Sequence, residues 1–250
     1  MDDDQFEHLI SVADARQLSG WDWSHVKGRY VESEPPWNYR DQVQAHIQPK
    51  LRLLDMGTGG GELLESLAPL PSDTWATEGY SPNVPIAQAR LGPLGVRVVP
   101  VEGDLLPLAD ATFDLVINRH ESFDAREVQR VLRSGGTFIT QQVGAQDLIE
   151  LNEALQDQTR MALPEWKLSA VRRQLQAAGL QVLVAKNAFP EAVFTDIGAV
   201  VFFLKVTPWQ IEDFSCDRYR KQLRLLHQGI VAEGGFRVHT HRFFIIARKP

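Results

Sequence analysis

The sequence predicts an α/β fold, a mostly parallel sheet with helices on both faces. Three observations predict it. Short apolar runs alternate with helically periodic segments between residues 51 and 143, the pattern of βαβ crossovers. A glycine-crowded turn, DMGTGGGE, directly follows an apolar run at residues 55–62. Apolar residues make up 44% and charged residues 23% of the 250-residue chain, enough for a large core in one domain or a domain with an appendage.

The elements follow in order. Residues 1–50 read as polar and mostly helical, interrupted at ESEPPWNYR, where Pro35 and Pro36 force an extended turn. Asn38 is a plausible cap for a short helix from Tyr39 to Gln48. LRLLDM (51–56), TWATEGY (74–80), VRVVPVEGD (96–104), FDLVINRH (113–120) and TFITQQV (137–143) read as five strands. Between them lie helical stretches at GELLESLAPL, from the Ser81 cap to Ala89, and at DAREVQRVL, which stops near Gly135 and Gly136. Beyond residue 143, helices are expected at 146–158, at Ser169–Ala178 and over DIGAVVFFLKV, capped by Thr195 or Asp196 and stopped by Pro208. A sixth strand is expected at LQVLVAKNAF and a long helix at Cys216–Ala232. FRVHTHRFFIIARKP reads as a final strand that could form an antiparallel edge.

Charge and cysteine content narrow the function classes. The net charge is −6, which on average repels nucleic acid and anionic membranes. One cysteine, Cys216, leaves no internal disulfide and fits a reducing compartment. The longest apolar run is too short to cross a bilayer, and the N-terminus lacks an apolar signal core. The expectation is a soluble cytoplasmic protein.

The glycine turn asks for a ligand. A dinucleotide fingerprint needs a third glycine three residues after the second, and Glu62 stands there. The phosphate-cradling Gly-Lys-Ser/Thr loop is absent too. Asp55 and Glu62 beside a diphosphate would oppose the helix N-terminus meant to attract it. A cationic ligand without phosphate suits the carboxylates better.

With these residues on view, the chain resembles class I S-adenosylmethionine-dependent methyltransferases, of the type 11-like domain family. The first family motif, acid-x-Gly-x-Gly-x-Gly, is matched by Asp55, Gly57, Gly59 and Gly61. The resemblance implies that the turn backbone, with Thr58, lies against the methionine and ribose of S-adenosylmethionine. Glu78, followed by Gly79, matches the acid that binds the ribose hydroxyls. Asp104 matches the acid near the adenine amino group, with Leu105 against the ring. Asn118, in the fourth motif, would position the cofactor methionine or the acceptor. The family implies a Rossmann-like sheet of seven strands with the last antiparallel, preceded by a helical cap over residues 1–50. The methyltransferase domain would then occupy 51–250, with a helical insertion at about 190–234.

The chemistry is expected at the end of the fourth strand. His120 could take a proton, and Glu121 could do so or hold a cationic substrate. Trp37 and Tyr39 could close over the cofactor, or simply pack the N-terminal helix. His239 and His241 share one face of the final strand, but no partner spacing supports a metal site. Trp209 is either a wall of the acceptor site or a buried aromatic after a helix stop. The arginines of DRYRKQLRLLHQ (217–228) fit an amphipathic surface helix, or a contact to phosphates. The leading expectation is methyl transfer to a small molecule. Methylation of ribosomal RNA and cofactor binding without catalysis stand behind it.

Overall fold

The computed structural model describes residues 2–16, 23–103, 105–161 and 163–250. In chain order the elements are α1 (Asp2–Ala15), β1 (Tyr30–Glu32), α2 (Tyr39–Gln44), β2 (Arg52–Met56), α3 (Glu62–Ser66), β3 (Asp73–Glu78) and α4 (Val84–Leu91). Then come β4 (Arg97–Pro100), β5 (Phe113–Arg119), α5 (Ala125–Val131), β6 (Leu132–Val143), α6 (Ile149–Leu155), α7 (Leu168–Ala177) and β7 (Gln181–Ala188). The last are β8 (Glu191–Phe194), α8 (Ile197–Val206), α9 (Arg220–Glu233), β9 (Phe236–His239) and β10 (Arg242–Arg248).

These elements form two compact units. The larger gathers residues 36–144, 166–187 and 242–250 around a seven-stranded sheet of order β4-β3-β2-β5-β6-β10-β7. β2 pairs in parallel with β3 and β5, β3 with β4, and β5 with β6, whereas β10 runs antiparallel to β6. Leu53 to Met56 are all buried, as expected for a central parallel strand covered on both faces. One face packs Leu54, Met56, Val116, Phe138, Phe243 and Ile245 against apolar residues of α5 and α7. Asn38 caps α2 by accepting from the Asp41 N–H at 3.1 Å, as its position predicted.

The smaller unit gathers residues 1–35, 145–165 and 188–241. Its sheet is β1-β8-β9, antiparallel throughout. At its centre α8 is apolar all round, with nine of its ten residues buried, which marks a helix enclosed by protein rather than a surface one. It packs with Phe6 and Ile10 of α1 and Phe194 of β8. Asp196 caps α8 by accepting from the Ala199 N–H at 3.0 Å, and takes both prongs of Arg29 at 2.5 and 2.7 Å.

Three readings of the sequence change. The division of the N-terminal segment falls at Pro35–Pro36 rather than residue 50, because α2 belongs with the larger sheet. The stretch read as one final strand is two, β9 and β10, broken at Thr240 and His241 and shared between the two sheets. His239 therefore ends β9, while His241 lies in the break. His239 Nδ1 meets Glu150 at 2.7 Å, while His241 Nδ1 accepts from the Gln146 N–H and its ring stacks on Phe189. Among the described residues no helix is long and apolar enough to cross a membrane.

Candidate functional site

Sheet register builds the site. Thr77 of β3, Met56 of β2, Asn118 of β5 and Thr140 of β6 stand abreast. The next residues along these strands are Glu78, Gly57, Arg119 and Gln141. All lie at the C-terminal ends of parallel strands, where open α/β sheets bind ligands.

The glycine turn starts here. The Gly57 and Thr58 N–H groups both donate to the Thr77 carbonyl, at 3.1 and 2.9 Å. Gly57 has φ +73°, and a methyl placed there would lie 2.5 Å from Cβ of Glu121. Gly61 has φ +86°, and its Cβ would meet Leu91 of α4 at 2.8 Å. Gly61 thus permits close helix packing. A Cβ at Gly59 would meet open space, so only its φ of +61° asks for glycine there.

Two buried carboxylates face this turn. Glu78 accepts from the Gly59 N–H at 2.6 Å with one oxygen and from the Tyr80 N–H at 2.8 Å with the other. Asp55 is raised to about 6, by burial first and then by the charge of Glu78, with Thr58 easing it back. Neither has an ion pair among the described residues. Glu62, expected beside the ligand, instead reaches out to Arg90 at 2.7 Å. The second carboxylate of the pocket is Glu78.

Asn118 was expected to touch cofactor or acceptor. It is fully buried, and its amide is engaged within the sheet. Nδ2 donates to the Met56 carbonyl at 3.0 Å, and Oδ1 accepts from Thr140 at 2.8 Å and from Gln142 at 2.6 Å. Tyr39 donates to its backbone carbonyl at 3.1 Å. Trp37 and Tyr39 are both buried against Phe244, with ring centroids 5.9 and 6.3 Å away. Burial and the nearby Asp55 charge push the Tyr39 hydroxyl well above its ordinary range.

His120 and Glu121 both stay exposed. His120 sits at φ +59°, a left-handed conformation uncommon outside glycine. Its N–H donates to the Gln141 carbonyl at 2.9 Å. Although part of the residue reaches solvent, desolvation of the ring against its neighbours, then the charges of Arg119 and Arg242, drive it well below the usual histidine range. Glu121 lies over Gly57, so the fourth strand's end touches the glycine turn.

The loop after β4 is latched by residues the sequence did not single out. Glu127 of α5 accepts from the Leu106 N–H at 2.9 Å, and Arg130 donates to the Leu106 and Leu108 carbonyls at 2.9 and 2.6 Å. Arg130, first among the causes, and the Leu106 N–H hold Glu127 below the usual carboxylate range against its burial. An acid and an arginine three apart on a helix were the available signal. Leu105 is 75% exposed on this loop and Gly79 is exposed nearby in sequence to Glu78. Asp104 lies outside the described residues.

Residues 54–140 match the methyltransferase domain family. The matched stretch lies within the seven-stranded unit, whose fold is that of methyltransferase domains of known structure. A presumed methyltransferase from Bacillus halodurans has the same fold, with a TM-score of 0.60 at 18% identity over 84% of this chain and 97% of its own. The [4+2]-cyclase SpnF is similar as well, at TM-score 0.53 and 18% identity over 98% of this chain and 94% of its own. Ubiquinone biosynthesis O-methyltransferase of Sinorhizobium medicae is 37% identical over 90 residues, 32% of this chain and 36% of its own. Its counterpart in Azorhizobium caulinodans is 35% identical over 91 residues, 36% of each. The chain thus spans about a third of the length of these curated relatives. The seven-stranded unit places its glycine turn, Glu78 and the end of β5 together.

Proposed function

We propose that the protein binds S-adenosylmethionine at the glycine turn and transfers its methyl group to a small-molecule acceptor bearing an oxygen nucleophile. The observation that carries the reading is the pair of interacting carboxylates, Asp55 and Glu78, buried beside the turn, neither in an ion pair among the described residues. Such a pair favours a ligand with positive charge and disfavours a phosphorylated one. Glu78 is already aligned by two backbone N–H groups, and its remaining lone pairs suit a ribose diol. Gly59 leaves open space for a ligand to approach the backbone. Bound there, S-adenosylmethionine supplies a methyl group already activated by the sulfonium.

What the chain contributes is alignment. Holding reactants in attack geometry supplies roughly 7–11 kcal/mol. The small-molecule acceptor, and oxygen as the receiving atom, are supported by the names of the two curated relatives. RNA is disfavoured because three arginines of the basic cluster already pair with carboxylates. Arg220 and Arg224 of α9 pair with Glu7 and Asp3 of α1, and Arg218 pairs with Asp213. Calorimetry tests the proposal. The protein should bind S-adenosylmethionine and ignore nicotinamide dinucleotides. Glu78→Ala should weaken that binding by about tenfold or more, from lost charged hydrogen bonds. Unchanged affinity in the variant would refute the assignment of Glu78.

A further inference from the structure

A chain of three side chains fixes which nitrogen of His120 carries the proton. Trp37 Nε1–H donates to Gln141 Oε1 at 2.8 Å. An indole nitrogen can only donate, so the Gln141 atom facing Trp37 must be its oxygen. The amide nitrogen of Gln141 is then the atom 3.1 Å from His120 Nε2. An amide nitrogen also only donates, so Nε2 of His120 must accept.

The geometry points to a positioning role for Trp37 and Gln141. They hold His120 as the imidazole protonated on Nδ1, so that His120 offers the methyl acceptor a hydrogen bond and does not take its proton at Nε2. The inference rests on the methyl-transfer reading for the acceptor, but not for the tautomer. All three residues belong to the larger unit. Trp37 and Gln141 are buried, so the relay is held by packing, with Trp37 stacked on Phe244. His120 is exposed, and no hydrogen bond among the described residues engages Nδ1.

The surrounding charges agree. Arg119 and Glu121 flank the ring on its own strand end, and Arg242 comes from β10; Trp37 and Gln141 add no charge. Arg119 and Arg242 both disfavour the imidazolium, and protonation of Nε2 would set N–H against N–H. A donor at Nδ1 suits an acceptor oxygen that arrives as an anion, a phenolate or enolate. For such a substrate no proton changes hands at His120. An acceptor needing deprotonation by this ring is disfavoured.

Nitrogen-15 NMR of the full chain, labelled at histidine, reads the tautomer directly. From about pH 5.5 to about pH 8, where a free histidine titrates, His120 should show a protonated Nδ1 and a bare Nε2. Gln141→Glu places a carboxylate against Nε2. The proton should then move to Nε2, and the histidine titration should rise by about one unit or more. Trp37→Phe, which frees Gln141 to turn over, should give a mixture of the two tautomers. A wild-type ring protonated at Nε2, or charged across that range, overturns the inference, as does a Gln141→Glu spectrum identical to wild type. None of these measurements needs cofactor. A protein that fails to bind S-adenosylmethionine would therefore remove the proposed function and leave the tautomer assignment standing.

Discussion

The two units bury polar groups in different ways. In the smaller one, polar side chains satisfy loose backbone groups: half-buried Asp196 caps α8, and buried Asn152 donates to the Arg160 and Gln210 carbonyls. In the larger one, Asp55, Glu78, Asn118, Gln141 and Gln142 gather at the ends of four adjacent strands. Asn118 and Gln142 satisfy each other, but Asp55 and Glu78 repel. A fold keeps repelling buried carboxylates at a cost. The difference separates polarity that serves the fold from polarity held for a ligand.

Gly57→Ala should break the larger unit's site most severely. The left-handed backbone alone costs about 1–2 kcal/mol, and the new methyl must displace Glu121. Loss of S-adenosylmethionine binding together with a lowered unfolding midpoint is expected. Gly59→Ala, with the same backbone demand but open space, should show the smaller stability loss, while its methyl enters the space left for the ligand and weakens binding. Equal losses in the two variants would show that the Glu121 contact is unimportant.

Asp196→Ala is the matching change in the smaller unit. Removing the cap and the Arg29 partner should cost about 1–2 kcal/mol in denaturant unfolding, while calorimetric affinity for S-adenosylmethionine stays within about twofold, roughly the 0.5 kcal/mol within which distant sites are additive. A larger fall in affinity would erase the distinction between the units.

The last comparison concerns pH. Asp55 is held at about 6 in the native state, against about 3.9 unfolded. Between those values the native state binds the extra proton, so this group's contribution to stability falls as pH rises and levels off above about 6. Asp55→Asn should flatten that slope in pH-dependent unfolding. A cationic ligand prefers the ionised form, so affinity for S-adenosylmethionine should be about tenfold weaker near pH 5 than above pH 7. A pH-independent affinity would remove Asp55 from the binding charge.

The larger sheet was legible because its strands are apolar runs spaced by helices, and because Asp55, the glycines and Glu78 fall at strand ends. The smaller sheet was not. β1 and β8 span three and four residues, too short for alternation to register, and Tyr30 finds its partner Phe194 far along the chain. The break at Thr240–His241 was hidden inside one continuous alternating run. Asn118 showed where to look but not what it does, because its partners Thr140 and Gln142 are set by sheet register. The Trp37–Gln141 bond likewise joins residues 104 apart in sequence.

The strand order has a consequence for biogenesis. β10, made after β6 and β7, inserts between them. Until Arg242–Arg248 have left the ribosome, β7 has no neighbour in the sheet and β6 presents a bare margin open to wrong pairing. A nascent chain stalled just short of Arg242 should therefore depend on chaperones in a way that one extended past β10 does not.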